Sequence, residues 1–410
     1  MTVHSNHLKS RCNLANARSR ITSGIFSDIL SIQDVMDFVH ISESQIDEYC
    51  LLASEIRDHG KGNVITFSPK VFIPLTRLCR DFCGYCTFRQ DPSDADELYL
   101  SPEQVLEVAN KAQALGCTEA LFTLGERPEL RYREAMDWLK THGYDTTIEY
   151  LVDMCRLVSF RTSLIPHVNP GTMSYREMSQ LRPHSGSMGI MLESISENLH
   201  APGGPHEFAP SKRPSVRIKT TKIAGELNIP FTSGILIGIG ESRLDRIKAL
   251  FALLDIHKNY GNIQEVIIQN FRTKENIPMR HSPDAESLEL RWTIATARII
   301  LGSQANIQVP PNLNSEDYDT YISAGINDWG GVSPLTIDYV NPESPWPKLS
   351  ELNRRTSKMG FNLVPRLPIY PEYFMDTDRY TDVNIKRKLL ELSDDQGYVK
   401  GGIQAYVDPK

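Results

Sequence analysis

Residues 71–88 read VFIPLTRLCRDFCGYCTF, in which an apolar run is followed at once by Cys79, Cys83 and Cys86. The run is continuous in apolar character, which is typical of a strand in a parallel sheet that helices cover. The thiols follow the predicted strand in a C-x3-C-x2-C spacing, so they fall on one loop. In parallel barrels the loops after the strands carry the active site. This stretch therefore predicts a strand and a functional loop behind it.

Seven further β-rich runs alternate with helical patterns along the chain. The eight predicted strands are residues 71–76, 119–124, 161–168, 187–192, 231–237, 265–271, 306–309 and a weaker run at 326–332. Capping patterns predict helix starts after Ser101, Ser174 and Ser242. Eight β/α units in about 270 residues match a (β/α)8 TIM-type barrel, an α/β fold. A doubly wound open sheet is the alternative.

The length of 410 residues allows two or three domains, or one large barrel with extensions. We expect a tail and a helical extension in residues 1–60 and the barrel in 61–340. Residues 341–410 are proline-rich at first, and we expect them to form an extension packed on the barrel.

Composition and charge exclude several classes of partner. Lys and Arg total 44 against 51 Asp and Glu, a net charge of −7, so there is no basic excess for nucleic acid. No apolar stretch approaches the ~18 residues of a membrane-spanning helix. The first twenty residues are basic and lack the apolar core of a signal peptide. They predict a disordered tail on a cytoplasmic protein, with an organellar transit peptide as the alternative.

Three of the seven cysteines fall within eight residues, which is not a disulfide framework. Clustered thiolates can converge on one metal centre and select zinc, copper(I) or an iron–sulfur cluster. Three ligands on a four-iron cube leave one iron open to bind and activate a substrate. The alternative is a zinc site completed by Cys117 or Cys155, although C-x3-C is unusual among zinc hooks.

The cysteine spacing, with Tyr85 before the last cysteine, resembles the signature of the radical S-adenosylmethionine (SAM) superfamily. The resemblance implies a 4Fe–4S cluster on Cys79, Cys83 and Cys86, with its fourth iron open to the amino and carboxylate groups of SAM. It also implies cleavage of SAM to methionine and a 5′-deoxyadenosyl radical that abstracts a substrate hydrogen. Tyr85 and Phe88 are expected beside the cofactor.

Two later strand ends carry further resemblances to this superfamily. The segment LGER contains Gly125 and Glu126 and is similar to a Gly-Gly-Glu-type motif in which a carboxylate faces the SAM ammonium. The segment GILIGIGE contains Gly238 and Glu241 and resembles a fifth-strand motif that backs the adenine. A Rossmann phosphate loop is the alternative for this segment, but Arg243 stands where the third glycine is needed.

Polar residues at other strand ends are candidates for the SAM ribose, the substrate or catalysis. Asn169 and Glu193 are candidates for binding the cofactor or the substrate. The general base is not identified by the sequence. The candidates are His167, Glu193 and Asp328. The residues expected at or just beyond the last three strand ends are Asn270, Arg272, Asn312 and Asp328.

Longer runs narrow the resemblance to one family. These runs are VFIPLTRLCRDFCGYCTF, GCTEALFTLGERPE, HVNPG with SMGIMLES, and IQVPPNL with AGINDWGGVSPLTIDYVNPE. They resemble the first, cyclising subunits of 7,8-didemethyl-8-hydroxy-5-deazariboflavin (FO) synthases, which act in deazaflavin cofactor biosynthesis. The resemblance implies a lyase that cyclises 5-amino-5-(4-hydroxybenzyl)-6-(D-ribitylimino)-5,6-dihydrouracil to the deazaflavin and releases ammonia.

The same resemblance implies partners. A companion, tyrosine-condensing radical SAM subunit would supply the adduct, and a ferredoxin or flavodoxin would supply electrons. One cluster motif can host only one of the two half-reactions. The alternatives are that second subunit, a menaquinone- or thiazole-pathway relative, or a non-enzymatic zinc or iron–sulfur protein.

Overall fold

The computed structural model describes residues 31–317 and 319–407. In this part of the chain nine strands form one parallel sheet. The strands are β1 Val64–Thr76, β2 Glu119–Leu124, β3 Ile165–Asn169, β4 Ser187–Gly189, β5 Phe231–Ile237, β6 Ile263–Asn270, β7 Ile307–Gln308, β8 Asp328–Val332 and β9 Asn362–Pro365. Strands β1 to β8 close on themselves because β1 pairs with both β8 and β2. The predicted (β/α)8 barrel is confirmed, and the open-sheet alternative is wrong.

The helices surround the barrel. They are α1 Ile32–Val35, α2 Ile46–Lys61, α3 Pro102–Ala114, α4 Arg133–Thr141, α5 Thr147–Arg161, α6 Tyr175–Leu181, α7 Pro214–Glu226, α8 Arg243–Tyr260, α9 Ser287–Leu301, α10 Asp319–Ser323, α11 Leu349–Lys358, α12 Pro371–Phe374, α13 Thr377–Tyr380, α14 Val383–Leu392 and α15 Gln404–Val407. Ser101, Ser174 and Ser242 each accept a hydrogen bond from the backbone N–H three residues later, as their capping patterns predict. No helix among the described residues is long and apolar enough to cross a membrane.

Several strand boundaries differ from the predicted ones. β1 begins at Val64, seven residues before the predicted start. The sequence pattern missed these residues because polar Thr66 and Ser68 interrupt the apolar run. The predicted run 161–168 begins too early, since Arg161 is still the last residue of α5. Continuous apolar runs do not distinguish the end of a buried helix from the start of a buried strand.

Both chain extensions pack on the barrel where they are described. Helix α2 lies on α9, and the Tyr49 hydroxyl lies 2.9 Å from the Thr296 hydroxyl. In the C-terminal extension, β9 pairs in parallel with the first residues of β1, a strand that the sequence did not predict. Residues 1–30, with Cys12 and the predicted tail or transit peptide, lie outside the described residues.

The interior of the barrel is polar. Barrels of this kind are usually filled with branched apolar side chains. Here Arg366, from the C-terminal extension, donates to Asp328 at 2.7 Å and to Glu265 at 3.0 Å, which fills the amino end. Above these groups lies a cavity of about 210 Å³, lined mainly by inward side chains of the strands. We call this cavity the lumen.

Candidate active site

The cysteine loop follows β1 at the carboxyl end of the barrel. Its three thiols are partly exposed, and Cys83 and Cys86 line a cavity of about 750 Å³. The Gly84 N–H donates to the Pro205 carbonyl at 2.7 Å, and the Met279 N–H donates to the Gly84 carbonyl at 2.9 Å. Both bonds hold the loop against segments that follow other strands. The buried residues that pack with Cys83 and Cys86 are Tyr85, Leu199, Leu236, Ile239, Phe271 and Ile277.

The thiols have the properties expected of soft metal ligands. Burial raises the pKa of Cys79 to about 12 and that of Cys83 still further, so both are neutral without a cationic partner. A bound metal centre would supply the missing positive charge. Cys79 Sγ already accepts the Glu126 N–H at 3.1 Å, the kind of bond that tunes cluster sulfurs. Three thiols on one loop, two of which line a large cavity, are the ligand type that an iron–sulfur cluster requires.

The zinc alternative requires a fourth ligand from Cys117 or Cys155. Cys117 precedes β2 at the amino end of the barrel, and Cys155 lies within α5. Both are buried in an apolar cluster. Within residues 31–317 and 319–407, no three or more His, Cys, Asp or Glu side chains are drawn together as a metal site, and this includes the three loop thiols themselves, so the positions of Cys117 and Cys155 alone decide against the zinc alternative. Neither cysteine is therefore placed to complete a zinc site with the loop.

Gly125 joins the end of β2 to the cysteine loop. A Cβ atom at this position would lie 1.9 Å from the Leu78 carbonyl oxygen and 2.8 Å from Cys79 Cβ. Both distances are shorter than van der Waals contact, so only glycine allows this approach. The structure therefore brings the LGER segment directly against the first cysteine.

Glu126 is buried beside the segment that follows β3. Its carboxylate accepts the Thr172 backbone N–H at 3.0 Å and also the Thr172 hydroxyl. A Cβ on Gly171, whose φ is 85°, would overlap this carboxylate at 1.8 Å. Burial raises the pKa of Glu126. A desolvated carboxylate of this kind gains most from a cationic ligand.

His167 and Asn169 both line the lumen. His167 Nδ1 lies 2.6 Å from the Ser187 hydroxyl, and Nε2 lies 2.9 Å from Asn169 Oδ1. The Ser187 hydroxyl also donates to the Pro368 carbonyl at 2.7 Å, which leaves Nδ1 to donate to Ser187. A neutral ring then satisfies both contacts only when the Asn169 amide is turned so that its NH2 group donates to Nε2. In that arrangement Nε2 is the basic nitrogen.

Glu193 lies just beyond β4 and is tightly held. Its backbone adopts a φ of 63°, and it exchanges hydrogen bonds with β5 at 3.1 and 2.9 Å. Its carboxylate forms an ion pair with Lys212. The Lys212 ammonium lies 5.7 Å from the centre of the Tyr85 ring, and the Tyr85 hydroxyl lies 3.0 Å from His206 Nε2. Glu193 therefore belongs to a polar cluster beside the cysteine loop.

Phe88 and the fifth-strand motif support the loops. Phe88 is buried, with the Arg77 guanidinium 5.7 Å from its ring centre. Glu241 accepts the backbone N–H groups of Gly238 and Ile239, each at 2.9 Å, and Arg246 Nε at 2.7 Å. The Glu241 carboxylate thus fixes the turn after β5.

The expected strand-end position of Asp328 is wrong. Asp328 is the first residue of β8, is fully buried and is bound by Arg366 at the amino end of the barrel. Of the three other expected strand-end residues, Asn270 is the last residue of β6, and Arg272 and Asn312 lie beyond β6 and β7. They bond neighbouring side chains, with Asn270 contacting Asn314, Arg272 contacting Asp284 and Asn312 contacting Asp338.

Sequence reasoning missed the polar residues of the lumen. Lys70, Gln269 and Gln308 line it together with His167. A signal was present, because Thr66, Ser68 and Lys70 alternate with apolar residues along β1, as inward side chains of a strand do.

Comparisons with known proteins agree with this geometry. Residues 73–253 match the family model described as the radical SAM superfamily. Over 337 residues the chain is 52% identical to the 7,8-didemethyl-8-hydroxy-5-deazariboflavin synthase of Methanopyrus kandleri, which covers 82% of this chain and all of that protein. The chain belongs to this family. It is therefore a radical SAM enzyme of deazaflavin biosynthesis, and the family implies a 4Fe–4S cluster and SAM.

Other members of the deazariboflavin synthase family are longer. The chain is 44% identical to the FO synthase of Streptomyces avermitilis over 392 residues, which are 93% of this chain but 45% of that protein. Among solved structures, the hydrogenase maturase HydG from Carboxydothermus hydrogenoformans matches with a TM-score of 0.69 and 17% identity, covering 95% of this chain and 92% of that one. Methylornithine synthase matches with a TM-score of 0.63 and 17% identity, covering 85% and 97%. These structures share the fold.

Proposed function

We propose that this chain catalyses the cyclising half of deazaflavin formation. It would convert 5-amino-5-(4-hydroxybenzyl)-6-(D-ribitylimino)-5,6-dihydrouracil to the deazaflavin and release ammonia, methionine and 5′-deoxyadenosine. The observation that carries the proposal is the 52% identity across the full length of a relative named for this product, in a chain with one C-x3-C-x2-C motif. The chain spans less than half of the Streptomyces avermitilis FO synthase, which agrees with one of two half-reactions.

The residues at the carboxyl end of the barrel would hold the cofactors. Cys79, Cys83 and Cys86 would bind three irons of the cluster, and Glu126 would receive the SAM ammonium. When bound, the cluster and SAM supply a 5′-deoxyadenosyl radical. The approach that Gly125 allows keeps the ammonium site next to the first cysteine.

Six further residues would complete the cofactor and substrate site. Tyr85 and Phe88 are buried on the cysteine loop and would wall the cofactor, and Gly238 and Glu241 would shape the adenine side. Asn169 and Glu193 would bind the SAM ribose or the substrate. The burial of both aromatic rings and the turn that Glu241 bonds support these roles.

The lumen suits the adduct, which is uncharged and rich in hydrogen-bonding groups. The side chains of Asn169, Gln269 and Gln308 offer amide donors and acceptors. The stacked rings of Phe72 and Trp346, 5.3 Å apart and 12° from parallel, also line it and offer flat apolar surface. A pocket of this kind recognises a flat polar ring without requiring a charge.

Ring closure must release a proton, and we propose His167 Nε2 as its acceptor. Burial lowers the pKa of His167 to about 4, so the ring is neutral at physiological pH. With Nδ1 bonded to Ser187 and the Asn169 amide turned to present its NH2 group, Nε2 is the basic atom. Glu193 is less suited to this step because Lys212 neutralises its carboxylate.

The test is a single anaerobic assay with reconstituted protein, reductant, SAM and the adduct. We expect a fluorescent deazaflavin together with 5′-deoxyadenosine, and we expect Cys83→Ala to abolish both. Cys117→Ala is the matched control and should keep the cluster and both products. Cleavage of SAM without deazaflavin would overturn the substrate assignment, and loss of the cluster in Cys117→Ala would overturn the ligand assignment.

A further inference from the structure

Two polar side chains, those of Lys70 and Gln308, line the lumen. The Lys70 side chain is 10% exposed, and its ammonium lies 2.9 Å from Glu119 Oε1. Gln308 is 7% exposed. Gln308 lines the lumen, and no hydrogen bond joins its side-chain amide to another group within residues 31–317 and 319–407. Because its amide is open to the cavity and is not a buried unpaired group, it is available to a ligand there.

Two adjacent glycines of β8 make room for these side chains. A Cβ on Gly331 would lie 2.2 Å from Lys70 Cε, and a Cβ on Gly330 would lie 2.0 Å from Gln308 Nε2. Any other residue at either position would push these side chains out of the lumen. Strand β8 therefore has no side chains where Lys70 and Gln308 pass over it, and both side chains pack directly on its backbone.

The charges beneath Lys70 keep the pair in place. Burial acts to raise the pKa of Glu119, but the neighbouring charges, of which Lys70 has the largest effect, and the hydrogen bond from Ser68 together outweigh it and lower the pKa to about 2. Glu119 is thus a carboxylate at any pH at which the enzyme works. The Lys70 ammonium forms an ion pair with Glu119 Oε1 at 2.9 Å, and its N–H groups remain for a ligand in the lumen.

We propose that Lys70 and Gln308 are specificity residues that read the imide edge of the pyrimidinedione ring. Such an edge carries a ring N–H between two carbonyl oxygens. Lys70 donates to a carbonyl oxygen, and the Gln308 amide donates to the other and accepts from the ring N–H. This inference rests on the proposed function, because the deazaflavin and its precursor share that edge.

The experiment measures binding of the deazaflavin product by its fluorescence, with anaerobically purified protein and without turnover. We expect Lys70→Met and Gln308→Leu each to weaken the Kd roughly 10- to 100-fold, as loss of hydrogen bonds in a buried site does. Lys111→Met is the matched control, since Lys111 lies on the outer face of α3 and is 60% exposed. It should leave the Kd unchanged.

A methylated ligand separates recognition from general damage to the site. Replacing the imide hydrogen of the deazaflavin by methyl should weaken binding to the wild type but have little further effect on Gln308→Leu. Since Lys70→Met leaves Glu119 unpaired, Lys70→Met with Glu119→Gln is tested in parallel, with thermal unfolding as the check on folding. If Gln308→Leu and a folded Lys70 variant each bind the deazaflavin with a Kd within twofold of wild type, the proposed recognition of the imide edge is wrong and the proposed function still stands. A wild type that neither binds nor forms the deazaflavin would overturn the proposed function.

Discussion

Gly125 illustrates how the absence of one side chain can join two motifs that are far apart in sequence. The end of β2 reaches the cysteine loop only because no Cβ stands between it and the Leu78 carbonyl. The same contact aligns the Glu126 N–H with Cys79 Sγ. The metal ligand and the neighbouring carboxylate are therefore positioned by one backbone contact.

We expect Gly125→Ala to separate the two motifs. The added methyl group must displace backbone, which costs about 1–3 kcal/mol of unfolding free energy and moves Cys79. Iron content per chain should fall, as measured after anaerobic reconstitution. Gly360→Ala is the control, because Gly360 has a φ of 85° but no atom within 4 Å of its Cβ position. Equal iron content in the two variants would contradict this role of Gly125.

His167 makes the stability of the fold depend on pH. Its pKa is about 4 in the folded protein, against about 6.5 for an exposed histidine, because burial disfavours the charged ring. Between these values the unfolded chain binds a proton that the folded chain does not. The contribution of neutral His167 to the free energy of unfolding is therefore fully present above pH 6.5 and is lost as the pH falls towards 4.

We expect His167→Gln to flatten this dependence. Over that pH range His167 should cost the wild type about 3 kcal/mol of unfolding free energy. The variant lacks this titrating group, so its own loss over the range should be smaller by the same amount. Denaturant unfolding at pH 7, 5.5 and 4.5 gives both slopes. Parallel slopes for the two proteins would contradict a neutral, buried His167.

At the scale of elements, the C-terminal extension completes the barrel. Strand β9 pairs with β1, and Arg366 directly after it bonds Asp328 and Glu265. These two carboxylates belong to β8 and β6 and have little access to water. The extension therefore stabilises the barrel from inside.

Arg366→Met should be strongly destabilising, because it leaves two buried carboxylates without their cation. We expect a loss of about 3–5 kcal/mol in unfolding free energy. Arg156→Met should cost less than about 1 kcal/mol, since Arg156 pairs with Asp153 at the surface. Chemical denaturation of both variants tests this. Similar losses would show that the Arg366 ion pairs contribute no more than surface ones.

The elements that the sequence predicted are those with a strong local pattern. The eight barrel strands were predictable from their apolar runs, and α3 from the capping pattern after Ser101. Strand β9 was not predictable, because it has only four residues and lies in a proline-rich segment, so it carries no periodic pattern. The cysteine loop was predictable from spacing, but the lumen residues Lys70 and Gln308 depend on which strands become neighbours.

At the scale of the molecule, the two ends of the barrel have different tasks. Ion pairs with Arg366 fill the amino end, and the cysteine loop and Glu126 lie at the carboxyl end. The chain carries one cysteine motif of this kind. Under the proposed function this one motif serves one half-reaction, and we propose that another enzyme makes the adduct.

We therefore expect a dependence on a second enzyme. With tyrosine, 5-amino-6-ribitylaminouracil, SAM and reductant, the reconstituted chain alone should form no deazaflavin. Adding a tyrosine-condensing radical SAM subunit should restore the product, as measured by fluorescence. Product formation by this chain alone would show that it performs both half-reactions.

The order of Arg366 and its two carboxylates along the chain has a consequence for synthesis. Asp328 and Glu265 leave the ribosome before their cation, so the barrel cannot reach its final form until the segment that carries Arg366 has also been made. We expect a nascent chain that ends before Arg366 to hold an incompletely folded barrel.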